Sequence, residues 1–173
     1  VTLITPSKHH YYSGMGPGML GGSYAPEDIR FNVQAMAENR GAKCILDRVL
    51  TVDPENRVLS LASGKKVEYD VVSFNTGSGV TTLEQKDGHE GDMQVVSVKP
   101  IINLLEARNA LLSPETARTL RHVSVIGGGP GGLEIAGNTR RLFSSPEGRE
   151  LYPEPPEVTL FAGSKLLKKY PEK

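Results

Sequence analysis

The sequence holds one cysteine, Cys44, in 173 residues. An internal disulfide, a C-x-x-C pair and a cysteine-based zinc cluster are therefore excluded. Sparse cysteine agrees with a reducing compartment, and a cytoplasmic location is the expectation. Excess charge of either sign is absent too: Lys and Arg number 20, as do Asp and Glu. Nothing suggests a nucleic-acid or polyanion partner. No apolar run approaches the ~20 residues that a membrane helix needs. The start carries no signal-peptide pattern and no methionine. The chain opens directly in the strand pattern Val-Thr-Leu-Ile and ends in Lys-Lys-Tyr-Pro-Glu-Lys, just after another strand. Both ends read as cut, and a fragment of a longer protein is expected.

Glycine is plentiful. There are 19, beside 38% hydrophobic residues, an ordinary balance for a globular protein. The length suits one large domain or two small ones. The densest glycine cluster lies within Val123–Arg141. A β-rich run (Val123, Val125, Ile126) enters it, and a helical pattern (Leu133, Ile135, Ala136, Leu142) leaves it. Gly127, Gly129 and Gly132 fit G-x-G-x-x-G in the context a dinucleotide site requires, strand before and helix after. Gly127 permits the tight turn, Gly129 lets a pyrophosphate approach the backbone, and Gly132 lets helix and strand pack closely. The first amides of that helix lack internal partners and face the phosphates.

The other segments read in order as follows. Val1–Ile4 is a buried parallel strand. Thr5–Gly22 is too rich in Gly and Pro for regular structure and reads as a long loop, either functional or a mobile loop exposed by truncation. Ala25-Pro26-Glu27-Asp28 opens a helix whose apolar face is Ile29, Val33, Met36 and Ala37, ended by Gly41. Strands at 43–52, 57–62 and 67–74 form a small antiparallel meander that re-enters a buried strand, Val71–Phe74. Residues 81–93, with acids at Glu84, Asp87, Glu90 and Asp92, read as a surface loop. A helix runs from Ile101 to about Leu112, stopped by Ser113-Pro114. Residues 144–157, with four Pro and four Glu, read as an inserted loop, and Val158–Phe161 as the next parallel strand. The class is α/β.

This order resembles the two-dinucleotide-binding-domain flavoproteins, the pyridine nucleotide-disulfide oxidoreductases. Tyr69-Asp70-Val71-Val72-Ser73-Phe74-Asn75-Thr76-Gly77-Ser78 is similar to the motif that closes their FAD domain, with Asn75 in place of the usual Ala. Val125–Glu134 is similar to their NAD(P)H fingerprint. Within that superfamily the finer resemblance is to the branch of type II NADH dehydrogenases. Tyr12-Ser13-Gly14-Met15-Gly16-Pro17-Gly18 carries it further, to the flavin oxidoreductases associated with, or fused to, selenide, water dikinase. Asp28-Ile29-Arg30, Gly41-Ala42-Lys43, Val98-Lys99-Pro100-Ile101 and the tail 162–167 fit that group.

The resemblance implies an FAD/NAD(P)-binding Rossmann-like fold with a small antiparallel β-meander, truncated at both ends. Residues 1–97 would be a partial FAD-binding domain lacking its first strand and glycine loop, and 98–173 the start of the NAD(P)H-binding domain. Thr5, Pro6 and Ser7 would border the FAD ribose, where many relatives carry an acid. Val49 would lie near adenine, Thr76 and Gly77 near the FAD pyrophosphate, and Ser13, Gly14 and Met15 near the flavin ring. Gly127, Gly128, Gly129, Pro130, Gly131 and Gly132 would hold NAD(P)H. Glu134, placed by the sequence in the first helical turn, where the dipole favours a carboxylate, would lie on the nicotinamide side and is the candidate catalytic residue.

Classical relatives carry a Cys pair in the segment that here is Ser7–Gly22, which has none. Dithiol chemistry is excluded, and Cys44 reads as a small buried hydrophobe. His9-His10 lacks a neighbouring acid or thiol and reads as a loop pair, so no metal site is assigned. The second strand of the NAD half ends in Phe161-Ala162-Gly163-Ser164-Lys165, without the ribose-reading acid expected for NAD. Lys165, Lys168 and Lys169 follow, and the choice between NAD and NADP stays open.

The expected function is FAD-dependent transfer of hydride from NAD(P)H to flavin and on to a small-molecule acceptor, a quinone being one candidate. The parent protein is expected to be cytoplasmic or peripheral at a membrane. The alternative is a non-catalytic dinucleotide-binding or structural module. A one-site NAD dehydrogenase does not explain ~100 residues before a fingerprint whose βαβ unit needs only ~30. Strand edges left open in such a fragment predict self-association and little bound FAD, and the fragment itself is expected to be inactive.

Overall fold

The computed structural model describes residues 1–80, 94–163 and 166–167. Its contacts divide the chain into two units: residues 1–10 with 30–78, and residues 11–29 with 79–173. The division expected at 97/98 is continuous in sequence, whereas the contacts group 11–29 with the later part. The acidic stretch 81–93 lies outside the described residues.

The first unit holds a parallel pair and a meander. β1 (Thr2–Thr5) runs parallel to β4 (Lys43–Leu46), with Leu3 opposite Cys44 and Ile4 opposite Ile45. Cys44 is half-buried there, a free thiol. β2 (His9–Tyr11) and β3 (Arg30–Asn32) form another two-stranded ladder. The single helix expected from Ala25 to Gly41 is corrected. Residues 26–29 turn, β3 follows, and only α2 (Val33–Glu38) is helical. The Asn32 side chain starts it by accepting from the Ala35 amide (3.0 Å). Met36, expected on the apolar face, is 58% exposed. Gly41, at φ +73°, ends the turn after the helix, as expected.

The strand expected over 43–52 breaks at Asp47. β5 (Val49–Asp53), β6 (Val58–Leu61) and β7 (Lys66–Glu68) then form the antiparallel meander that the alternation predicts. Leu59 and Leu61 point inward from β6. The Asp53 carboxylate closes the first turn by accepting from the Asn56 backbone (2.9 Å) and side-chain amide (2.8 Å). The buried strand expected at Val71–Phe74 is not formed. Val71 is 89% exposed and Phe74 56%, because no described strand offers this segment a ladder.

The second unit is built on β8 (His122–Ile126), parallel to β9 (Glu157–Phe161) as predicted, with α5 (Pro130–Phe143) between them. Its core joins Val125 and Ile135 to Leu104 of α3 (Ile102–Leu111) and to Met19, Leu20 and Ile29. Met19 and Leu20 correct the reading of residues 5–22 as irregular. Ser13–Met15 is a 3-10 turn and α1 (Gly16–Leu20) is a helix that packs on α3 and α5. Met19 and Leu20 are fully buried, so packing imposes a helix on a sequence with poor helix propensity.

Ser113-Pro114, read as a stop, is also the start of α4 (Pro114–Thr119), with Ser113 accepting from the Thr116 amide. The inserted loop expected at 144–157 contains α6 (Pro146–Leu151), started in the same way by Ser145. Tyr152 then anchors it. The ring meets Phe143 edge-on at 4.9 Å, and the hydroxyl donates to Leu111 O (2.7 Å). Among the described residues no helix is long and apolar enough to cross a membrane.

Candidate functional site

The glycine loop is set by its two strands and one helix. At the end of β8, Gly127 takes φ +135°, and its N–H donates to Phe161 O at the end of β9 (2.9 Å). Gly129 is extended and caps α5, and Pro130 fits the first helical position, where no N–H is needed. Leu133 N–H donates to Gly129 O (3.1 Å). Helix geometry therefore leaves the N–H groups of Gly131 and Gly132 without an intrahelical acceptor. Leu167 N–H donates to Gly128 O (2.8 Å), which fixes the turn from the other side.

The glycines have separate duties. A β-carbon on Gly132 would collide with Gly127 O, so this glycine is required by close helix–strand packing. Among the described residues, a β-carbon on Gly129 or Gly131 would meet nothing within 4 Å. There the space beside the backbone is open, and the free amides and the helix dipole suit an anion such as a pyrophosphate. The residues present fit a dinucleotide phosphate.

Glu134 is the fifth residue of α5 and lies in its second turn, not the first. The dipole argument for a carboxylate there falls away, because that field fades beyond the first turn. Its side chain is exposed, and its backbone carbonyl accepts from Asn138 Nδ2 (2.9 Å).

The remaining predicted residues lie in separate places. In the first unit, Thr5 ends β1, its hydroxyl donating to Ser7 O (3.1 Å), while Ser7 Oγ accepts from the His9 amide (3.2 Å). Asp47 N–H donates to Thr5 O (2.9 Å), and Val49 opens β5 two residues later. Thr5, Ser7 and Val49 thus gather toward the C-terminal end of the parallel pair, the end where α/β sheets take ligands. Thr76 and Gly77 follow the last strand of this unit and are exposed; Gly77 has φ +73°, and a β-carbon there would meet none of the described residues within 4 Å.

Asp47, which no sequence motif marks, is the best-held side chain here. Its carboxylate accepts from the Ser63 hydroxyl and amide and from the Arg48 amide. These bonds, the Ser63 hydroxyl first, hold it below the usual carboxylate range. Desolvation and then the charges of Arg30 and Lys8 lower the pKa of His9. Among the described residues no group of three His, Cys, Asp or Glu could hold a metal ion.

In the second unit, Ser13 and Gly14 are exposed and Met15 packs on the core. Just beyond them Gly16-Pro17-Gly18-Met19-Leu20-Gly21 repeats the G-x-G-x-x-G spacing but folds as α1. Its glycines serve packing: Gly16 against Ile101 and Leu104, Gly21 against Asn138 of α5. No strand runs directly into Gly16, and neither Gly16, Gly18 nor Gly21 has a positive φ, so this match is no phosphate loop. At the end of β9, Ala162 and Gly163 are exposed, and neither they nor the next residues in sequence, Ser164 and Lys165, are acidic. Ser164, Lys165, Lys168 and Lys169 lie outside the described residues.

Comparison with known proteins agrees with this geometry. The family profile described as pyridine nucleotide-disulphide oxidoreductase matches residues 1–173. A mitochondrial sulfide:quinone oxidoreductase from Dictyostelium discoideum is 26% identical over 77 residues, 44% of this chain and 17% of that protein. Among solved structures, NDH2 from Plasmodium falciparum in complex with NADH aligns with TM-score 0.71 and 18% identity, covering 99% of this chain and 39% of that one. The sulfide:quinone oxidoreductase of Aquifex aeolicus aligns with TM-score 0.63 and 21% identity, covering 93% and 36%. The structural likenesses show a shared fold. The chain spans well under half of each of these relatives.

Proposed function

The chain belongs to the pyridine nucleotide-disulphide oxidoreductase family, and we propose that it is part of an FAD-dependent NAD(P)H oxidoreductase. The observation that carries this reading is the Gly127–Gly132 turn between β8 and α5, open at Gly129 and closed at Gly132. On this reading residues 98–173 begin the NAD(P)H-binding domain and residues 1–97 are part of the FAD-binding domain.

The free amides of Gly131 and Gly132 bind the pyrophosphate of NAD(P)H. Thr5, Ser7 and Val49 border the adenosine half of FAD, and Thr76 and Gly77 its pyrophosphate. Ser13, Gly14 and Met15 line the flavin ring, with Glu134 on the nicotinamide side. Bound at these residues, FAD would supply two-electron chemistry, taking a hydride from NAD(P)H and releasing both electrons to an acceptor. No thiol relay takes part within this chain, since Cys44 has no partner cysteine. Two of the relatives are named for a quinone. A quinone is therefore the acceptor class we assign, and it would bring the protein to a membrane surface.

The test is direct. The 173-residue chain is titrated with NADH and followed by nucleotide fluorescence, then incubated with FAD, desalted and scanned for flavin absorbance. NADH consumption is then measured with a soluble quinone. Saturable NADH binding, retained flavin and quinone-dependent consumption support the reading. Protein that stays colourless while binding NADH is a dinucleotide-binding module. Protein that binds neither refutes both.

A further inference from the structure

α1 should not be a helix by its own sequence. Its five residues include Gly16, Pro17 and Gly18, and Gly21 and Gly22 follow. Each glycine costs roughly 1 kcal/mol against alanine in a helix, and so short a helix is not self-supporting. Its order comes from its neighbours. Gly16 allows the close approach of Ile101 and Leu104, and Gly21 that of Asn138. These contacts fix two sides. At the C-terminal end, beside Asn138, the Arg108 side chain of α3 makes a hydrogen bond to the helix.

Arg108 Nη1 donates to Leu20 O (3.2 Å), and Nη2 donates to Glu147 Oε2 on α6 (3.2 Å). The partners are 88 and 39 residues away in sequence. The Arg108 side chain is only 18% exposed, against 66% for Glu147. The guanidinium also covers Gly22, where a β-carbon would come within 3.3 Å of Nη1. A cation at the carbonyl end of a helix is favoured by its dipole. α6 in turn packs on the end of α5, where Gly148 lies against the backbone of Leu142 and Phe143. Arg108 therefore links α1, α3 and α6, while α5, which leaves the glycine loop, touches both α1 and α6.

We infer that Arg108 is a positioning residue, holding the Ser13–Gly22 segment in register with the helix of the glycine loop. The segment assigned to the flavin ring and the loop assigned to NAD(P)H are thereby set at one distance. This rests on the reading above. Arg108 touches neither cofactor in this scheme. It acts by restricting where the Ser13–Met15 turn stands, and small displacements there would cost rate because hydride transfer needs near-contact geometry.

The experiment compares Arg108→Met, Arg108→Lys and Glu147→Gln in the full 173-residue chain. Amide hydrogen exchange is read at Gly21, Gly22 and Ser23, whose N–H groups donate to Pro17, Met19 and Gly18 carbonyls. NADH affinity is measured by fluorescence, and flavin reduction by stopped flow in FAD-loaded protein. Arg108→Met should speed exchange at these amides roughly tenfold and leave β8 and α5 protected. It should slow flavin reduction about tenfold with NADH affinity changed less than about twofold. Arg108→Lys should recover part of both, since it keeps the charge but not the planar fork. Glu147→Gln should stay near wild type, because an exposed partner contributes little.

Unchanged exchange at Gly21–Ser23 in Arg108→Met overturns the inference. So does a fall in reduction matched by equal loss of NADH binding. If Arg108→Met does not fold, wild-type exchange and reduction in Arg108→Lys overturn it. If wild type takes up no flavin, the functional reading fails together with the positioning of a hydride path, whereas the exchange arm still reports whether Arg108 clamps α1.

Discussion

Gly132 sits so close to Gly127 that any β-carbon on it would overlap the Gly127 carbonyl oxygen. Three residues earlier, a β-carbon on Gly129 would meet none of the described residues. The same substitution should therefore do different things. Gly132→Ala must push α5 off the end of β8, and overpacking of this kind costs about 1–3 kcal/mol. Gly129→Ala places its methyl in open space at a helix cap, where the change costs about 1 kcal/mol or less, yet it fills the room a pyrophosphate would use. Expected outcomes are a clear loss of melting temperature for Gly132→Ala, and for Gly129→Ala a near-native melt with NADH affinity down at least about tenfold, roughly 1.4 kcal/mol. Equal effects on melting and binding in both variants would remove the distinction.

Tyr152 isolates a single buried hydrogen bond. The residue is 4% exposed, and its hydroxyl donates to Leu111 O. Tyr152→Phe keeps the edge contact with Phe143 and loses only that bond, for an expected cost of about 1 kcal/mol. Tyr152→Ala also loses the ring and opens a cavity, for about 3–5 kcal/mol. Chemical denaturation of the two variants checks the ratio. Burial also raises the phenol pKa above its ordinary value. The neutral form is thus favoured in the folded chain, and its contribution is lost as pH rises past 10, the ordinary tyrosine value.

The parts of this fold that local pattern controls were legible in the residues. Val123–Ile126, the three glycines and Leu133–Leu142 specify strand, turn and helix in sequence, and the structure has them in that order. The meander follows from alternation at Val58, Leu59 and Leu61. What local pattern cannot show is the use of a glycine. Gly16–Gly21 and Gly127–Gly132 share one spacing, yet Ile101, Leu104 and Asn138, distant in sequence, make the first a packed helix. Val71–Phe74 reads as a strand because its residues are β-branched and aromatic, but a strand needs a neighbour. Ser113-Pro114-Glu115 and Ser145-Pro146-Glu147 did carry a signal, a capping hydroxyl followed by proline at the first helical position and an acid in the first turn. Proline there starts a helix as readily as it stops one.

Leu46, Leu50, Val71 and Phe74 in the first unit are exposed, and among the described residues β1 pairs with β4 alone; self-association is the expected outcome. Sedimentation velocity should show a concentration-dependent shift to larger species. Replacing Val71 and Phe74 by serine should shift the chain toward monomer without lowering its melting temperature, since neither side chain is buried. A monomer at all concentrations for the wild-type chain would be evidence against association.

Asp47 should give the chain an identifiable acid limb. Its carboxylate accepts from the Ser63 hydroxyl, the Arg48 amide and the Ser63 amide, and Asp47 N–H bonds Thr5 O, so it ties the end of β1 to the turn after β6. Because those donors favour the charged form, its folded pKa lies below the unfolded value. The contribution is complete above about pH 4, the ordinary aspartate value, and is lost as pH falls through the lowered folded pKa. Thermal melts from pH 6 downward should therefore fall below pH 4. Asp47→Asn should be less stable at pH 6 and show a shallower acid limb. Ser63→Ala should act in the same direction, having removed the strongest donor. Asp53 is lowered similarly by Asn56, so some acid dependence will remain in every variant. An acid limb of wild-type steepness in Asp47→Asn would show that the Asp47 network contributes nothing to the pH response.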